Sequence, residues 1–381
     1  MGGRRLLLPA RWKTSDAIFW GRCRKPLVNA YWGASSGVDR FHYIDNGDGT
    51  YTYYAINGNK AKQWWDRFVW YNSDNVIDLH VSPDAQIWET NNNRFNSQSV
   101  EAYDFGGKAI ATKSLRETFF SCHNIGTIDI SSWNLANNMS LYAAFAANVD
   151  FDTVTKLRTV KLPADCGAKA TEAHKMFGWH RGLETITGMT TVDFSARTNF
   201  SEMFCDCISL KNVNFRIDGW VTAKCTDIHS MFLKCHVLDF SAIGDFTTWD
   251  VSNVTDVSGL FANSNAEYLD LTGWDLRNCG DFQQMFADQF NNNLKGLVLS
   301  GWQLDTTKQA QYGGMFVGCS ALRSLTLKGC ATEVIEFFKA QLMTDIYDTA
   351  KSGSLILVLD DGSYRYDSET SAWVPATSET N

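Results

Sequence analysis

Between residues 125 and 329, apolar and polar positions alternate in eight short runs, each the length of a half-buried strand. The runs are I-G-T-I-D-I-S (125–131), L-R-T-V-K-L (157–162), T-T-V-D-F-S (190–195), L-K-N-V-N-F-R (210–216), V-L-D-F-S (237–241), Y-L-D-L-T-G-W (268–274), L-K-G-L-V-L-S-G-W (294–302) and L-R-S-L-T-L-K-G (322–329). Alternation turns pairs such as Ile128/Ile130, Val213/Phe215, Leu269/Leu271 and Leu325/Leu327 inward. Between the runs the apolar period changes to three, as at Val251, Val254, Val257 and Leu260. That spacing predicts a short helix or a 3₁₀ turn on the outer side.

A second signal is laid over the first. An aromatic, usually after Met, returns at Phe119, Phe145, Phe177, Phe204, Phe232, Phe261, Phe286 and Phe316, about 28 residues apart. A period in that range predicts stacked supersecondary units that bury their apolar sides on one another. Three residues beyond each aromatic stand Cys122, Asn148, His180, Cys207, Cys235, Ser264, Gln289 and Cys319, so four of the ten cysteines share one slot. A small, weakly polar, buried side chain suits the inner turn of a coil, and the cysteines are expected to be reduced structural thiols. Spacing alone would not pair them if the chain worked in an oxidising compartment. Tryptophans follow several runs (Trp133, Trp220, Trp249, Trp274, Trp302). A recurring aromatic of this kind is expected to fill an interior layer rather than to form a sugar platform.

The constellation M-F-x-x-C-x-x-L-x-x-L-x-L with W-D-V-S-N-V-T-D-V downstream resembles the BspA-like leucine-rich repeat family. The best copies are M-F-C-D-C-I-S-L-K-N-V-N-F (203–215), M-F-V-G-C-S-A-L-R-S-L-T-L (315–327) and W-D-V-S-N-V-T-D-V-S-G-L-F (249–261). The resemblance covers about 115–330, with degenerate copies near Phe145 and Phe177 that lack the Cys. It implies a right-handed leucine-rich solenoid and a role in adhesion or recognition at a bacterial or protist surface. It transfers no catalytic residue.

The fold class expected is therefore an α/β repeat: a solenoid of about eight irregular coils, with a small β-rich N-terminal region and a C-terminal helix plus β-hairpin. Three parts follow: a docking or capping region over 1–98, the solenoid over 99–330, and a capping helix and hairpin tail over 331–381. In the first part, F-H-Y-I-D-N-G-D-G-T-Y-T-Y-Y-A-I (41–56) is a hairpin signal, W-W-D-R-F-V-W-Y (64–71) is helix-like, and V-I-D-L-H-V (76–81) and S-V-E-A-Y-D-F-G-G (99–107) start or cap the solenoid. In the last, 332–347 has the spacing of an amphipathic helix, and 354–374 reads as three strands. Its G-S-Y-R-Y-D and A-W-V segments are similar to short hairpins of phage fibre and tail proteins.

Charge adds one asymmetry. The net −8 divides into +6 over residues 1–25 and −14 over the rest. An acidic body disfavours nucleic acid, whose phosphates need a cationic face. No run approaches the ~18 apolar residues of a membrane span, and the start lacks the apolar core of a Sec signal. No hydrolase, nucleotide-binding or zinc-protease motif occurs. Asp45, Asn46 and Asp48 lack calcium-loop spacing. The cluster Cys205, Cys207, Cys225, His229, Cys235 and His236 lacks paired zinc spacing, so neither metal nor cofactor is expected.

The expected role is non-enzymatic: a virion component of a phage (fibre, tail or head decoration) that docks to other virion proteins by its ends. The alternatives are a bacterial surface adhesin and an intracellular scaffold, and the chain is a candidate oligomer. The candidate binding face is the outward file of the strand ladder, Asp129, Lys161, Asp193, Asn214, Asp239, Asp270, Val298 and Thr326, about 40 Å long at strand spacing. A host-surface protein or glycan would meet its acidic middle. A solvated polar face explains the same residues.

Overall fold

The computed structural model describes the backbone of five strands between Val28 and Asp104, and residues 115–376 apart from 117–118, 121–125, 134, 136–139, 148–155, 165, 167–169, 191–195, 197, 290–291 and 309. The architecture is of α/β type, with parallel and mixed sheets and few helices.

The first sheet runs in chain order: β1 (Val28–Trp32), β2 (Asp39–Asp45), β3 (Tyr51–Ala55), β4 (Val76–Val81) and β5 (Ala102–Asp104). β2 and β3 form the expected antiparallel hairpin, while β4 and β5 join in parallel. The helix-like segment 64–71 lies outside the described residues.

The repeats form two further sheets. β6 (Thr127–Asp129), β7 (Thr159–Lys161), β8 (Thr185–Thr187) and β9 (Asn212–Val213) pair in parallel, each with the next. β10 (Tyr268–Asp270), β11 (Gly296–Val298) and β12 (Ser324–Thr326) do the same. Their central residues, among them Ile128, Val160, Ile186, Leu269, Leu297 and Leu325, are buried, as alternation requires.

One of the expected strands is corrected and one is not described. The expected third strand, 190–195, falls almost wholly outside the described residues, and the third strand of the described ladder is β8. There T-I-T sets Ile186 in register with Val160 and Val213, and Gly188 (φ +91°) turns the chain where a Cβ would stand 2.0 Å from the Leu162 carbonyl oxygen. The fifth, 237–241, is no strand. Asp239 accepts hydrogen bonds from the backbone N–H groups of Ser241 and Ala242 and so starts a short helix, Phe240–Ile243. This helix separates the four-strand sheet from the six-strand sheet.

The period-three stretch 251–261 takes the turn alternative of that expectation rather than the helix. In 251–261 single turns close at Val254 N–H to the Val251 carbonyl and at Leu260 N–H to the Val257 carbonyl, and Gly259 (φ +61°) prevents propagation. Each turn returns one apolar side chain to the core, which generates the spacing.

What runs on without a break is a ladder of turns. Phe145, Phe177, Phe204, Phe232, Phe261 and Phe286 donate their backbone N–H groups to the carbonyls of Met176, Met203, Met231, Leu260, Met285 and Met315, at 2.8–3.0 Å. The residue two places before each of these phenylalanines from Phe145 to Phe286 is left-handed, as at Lys175 (φ +60°), Glu202 (φ +56°) and Ser230 (φ +52°). That kink allows two consecutive residues, Met and Phe, to point inward. All eight rings stack in one column with centroids 5.3, 5.5, 5.5, 5.6, 5.9, 6.2 and 5.6 Å apart and planes within 15° of parallel. Where the sheet is interrupted, Phe240 and Phe246 pack edge-on against Phe232 and Phe261.

Two other columns flank it. Trp220, Trp249, Trp274 and Trp302 are buried and stack at 6.0–6.4 Å. The indole N–H groups of Trp249, Trp274 and Trp302 donate to the carbonyls of Ile217, Phe246 and Leu271. The thiols of Cys207, Cys235 and Cys319 donate to the carbonyls of Phe177, Phe204 and Phe286, 2.9–3.3 Å away. Each column thus satisfies polar groups of the preceding unit. Gln289 departs from the expected slot: it is exposed, and its neighbour Asp288 is buried, accepting from the Leu294 N–H.

The stack closes at the C-terminus as expected. Helix Thr332–Asp345 buries Val334, Phe338 and Leu342, and Phe338 meets Phe316 and Trp302 edge-on. β13 (Ile356–Leu359) then continues the parallel ladder. β14 (Gly362–Asp367) and β15 (Ala372–Pro375) turn it into an antiparallel meander. Pro375 marks the outer strand, where a missing N–H is tolerated.

Phe232→Ala removes a ring that touches four others and is expected to lower stability by about 3–5 kcal/mol. Val221→Ala, at a half-exposed site, is expected to stay within about 0.5 kcal/mol. Urea denaturation of the full chain measures both.

Candidate functional site

The predicted binding file is placed in two parts. Asp129 and Lys161 are register partners, joined by an ion pair of 3.1 Å, and the next residue in register is Thr187. Asp193 lies outside the described residues. Asn214 is exposed just beyond β9. Asp239 caps the helix in the gap between the sheets. Asp270, Val298 and Thr326 are register neighbours, followed by Val358.

The acidic members of this file share a local motif, D-x-S/T. Asp129, Asp239 and Asp270 each accept, through Oδ1, the backbone N–H two residues on at 2.9–3.1 Å and the hydroxyl of the same residue at 2.6 Å. Asp250 with Ser252 and Asp305 with Thr307 repeat the arrangement. These carboxylates fix turns whether or not a partner docks. The Ser241 hydroxyl and the nearby amides hold the Asp239 carboxyl below the usual carboxylate range.

A different polar column lies on the turn ladder. Glu172, Asn199, Asp227, Asp256, Asp281 and Gln311 are joined one to the next by parallel bridges. Asn199, Asp227, Asp256 and Asp281 each accept the N–H two residues on, from Ser201, His229, Ser258 and Gln283. Each of these six stands five residues before a column phenylalanine. That fixed offset made the column legible in sequence as D/N-x-(S/H/Q), a pattern the outward-strand reading passed over.

The column's densest point is His229. Its Nδ1 lies 2.8 Å from Asp227 and 3.9 Å from Asp256, and its Nε2 lies 3.4 Å from Glu202. Glu202 also pairs with Lys175 at 3.2 Å, and Asn199 donates to the second Asp227 oxygen. Hydrogen bonds to Asp227 and Glu202 push the His229 imidazole up to about 10, against the opposing effect of burial. Burial alone would raise the Asp227 carboxyl, but the His229 side chain and backbone hold it below its ordinary range. Asp227, His229 and Asp256 form, among the described residues, the group whose donor atoms approach closely enough for a metal ion. Both ring nitrogens nevertheless face carboxylates, as a protonated imidazole requires.

The cysteines around it are placed otherwise than a zinc set would be. Cys207 and Cys235 donate to carbonyls of the preceding units, and Cys225 donates to the Asp227 carbonyl. Burial pushes Cys205 and Cys225 up to about 12. Such thiols are poor nucleophiles and poor ligands. The eight described cysteines carry no disulfide.

The comparison with known families reaches the same stretch of chain. Residues 170–297 and 198–328 match the family model described as "Mycoplasma protein of unknown function, DUF285". The two matches begin 28 residues apart, one repeat along the phenylalanine column. This supports a BspA-like repeat protein over that stretch. No curated protein matches the chain.

The His229 cage gives a signed pH dependence. Its folded value lies above the ~6.5 of an unfolded histidine. Its contribution is therefore complete below about pH 6.5 and fades as pH rises through about 10. The stability gap between the wild type and His229→Gln is expected to be widest near pH 6 and to close above pH 10, as read by urea denaturation across that range.

Proposed function

We propose that the protein is a non-enzymatic binding and structural protein, a leucine-rich-repeat solenoid of about eight coils carried on a phage virion as a fibre, tail or head-decoration component. Its ends dock to other virion proteins, and the solenoid presents a side to a host-surface protein or glycan. The observation that carries the solenoid reading is the single column of eight stacked phenylalanine rings, one from each unit, running past the break between the sheets. Such a column makes a stiff rod whose exposed sides are free to vary, the usual basis of recognition by repeat proteins.

The virion assignment draws on the C-terminal meander, whose sequence is similar to phage fibre and tail hairpins and which closes the ladder with two antiparallel strands. A second reading, a bacterial surface adhesin, is favoured by the match to a family described from Mycoplasma. Mass spectrometry of purified virions and of the cell-surface fraction from one culture separates them. The first reading expects peptides at defined copy number in particles; their confinement to the surface fraction would replace it with the second.

Within either reading, the outward strand file is proposed as the binding face, with Asp239 and Asp270 in its exposed acidic part. Asp239→Lys with Asp270→Lys is expected to cut retention of the labelled full chain on cells of the source culture at least tenfold. Unchanged retention would remove this face from the account.

A further inference from the structure

The first described units depart from the others along the turn ladder. The unit of Phe145 carries Ala143, Ala146 and Ala147 where the next carries Lys175, Gly178 and Trp179. The alanines are buried to their methyl groups and leave a hollow of about 250 Å³ beside them. Phe120, Tyr142 and Trp179, all half-buried, line it, and Lys175 is the charged residue on its lining.

Trp179 differs from the four tryptophans of the buried column. It is half-buried, and it holds a left-handed backbone (φ +64°). Later units place Asp206, Lys234, Asn263 and Gly318 in that conformation at the equivalent position. A bulky aromatic there is strained, and such strain concentrates at ligand clamps. The Lys175 ammonium lies 5.2 Å from the Trp179 ring centre, and its other partner is Glu202. Tyr142 is held from behind, with its ring 4.3 Å from His174 and the Arg116 guanidinium 4.0 Å from its centre.

We infer that this hollow binds a single pyranose ring bearing a carboxylate, an acidic monosaccharide unit of the uronic acid kind. The volume lies below the ~300–1,000 Å³ of drug-sized sites and suits one ring. Among the described residues the hollow is partly open, so its ligand needs an apolar face for the aromatic wall and a polar edge for the open side. A pyranose has both, whereas an arene is apolar on both faces. Among the described residues of the lining, Lys175 supplies the one charge and selects a carboxylate over a neutral sugar. The inference is independent of which particle or surface carries the protein.

The test is saturation-transfer NMR and calorimetry on the full chain with sodium D-glucuronate, D-glucose and benzoate. Glucuronate is expected to bind saturably with Kd on the order of 1 mM, as its small size dictates. Lys175→Met is expected to reduce glucuronate binding to the level of glucose, and Trp179→Ala to weaken it at least tenfold with an unchanged melting temperature. If Trp179→Ala melts early, Tyr142→Ala supplies the same comparison. Absence of saturable glucuronate binding, preference for benzoate, or affinity unchanged in the lining variants would each overturn the assignment.

Discussion

The backbone hydrogen bond from the column phenylalanines up to Phe286 to the unit that follows is the constraint on which the rest of the structure depends. It fixes the rise between units at backbone distance, and the rings, attached directly to the donating residues, have no choice but to stack. Ring centres fall 5.3–6.2 Å apart, wider than the ~4.8 Å of paired strands, so each pair is offset within the range aromatic contacts prefer. The left-handed residue two places earlier is the local cost of this arrangement, and Met and Phe buried side by side are its return. Sheet pairing is secondary. It lapses between β9 and β10 while the turn hydrogen bonds and the column continue.

The polar content of the interior follows from the same geometry. Units present interior carbonyls toward the unit that follows, and each needs a donor. Indole N–H groups meet some and thiols meet others. Cysteine recurs because it is small enough for the inner turn, apolar enough to be buried, and still a donor. On the outer side the side-chain caps are acidic: Asp followed two residues later by Ser or Thr, or Asp and Asn along the bridged column. Much of the chain's negative charge thus has a structural use. Recognition on this scaffold falls to what varies between units, as in the alanine-floored hollow and the His229 cage.

The amount legible in sequence differed by element. Repeat length, inward pairs, capping helix and terminal strands could all be read, because periodicity and apolar spacing dictate them directly. The segment 237–241 could not, since V-L-D-F-S alternates like its neighbours; Asp239 acting as a cap, with Phe240 and Ile243 turned to the core, decides for a helix. The strand at 185–187 was also passed over, because T-I-T is short, and its place in the ladder comes from the register of Ile186 with Val160 and Val213. At the candidate sites the outward strand residues were identifiable by alternation. The His229 cage required residues from three units to meet, and single-unit reading brings none of them together. Trp179 was hidden because it lies off the recurring tryptophan position.

The central claim is that the turn ladder, not the sheets, makes the repeats one cooperative body. Native-state hydrogen exchange tests it most directly, by comparing the amides of Phe204, Phe232 and Phe261 with those of the two sheets on either side of Phe240–Ile243. The account predicts a single opening free energy shared by these three amides and by both sheets. Two separate free energies, with the Phe232 amide opening alongside the weaker sheet, would contradict it.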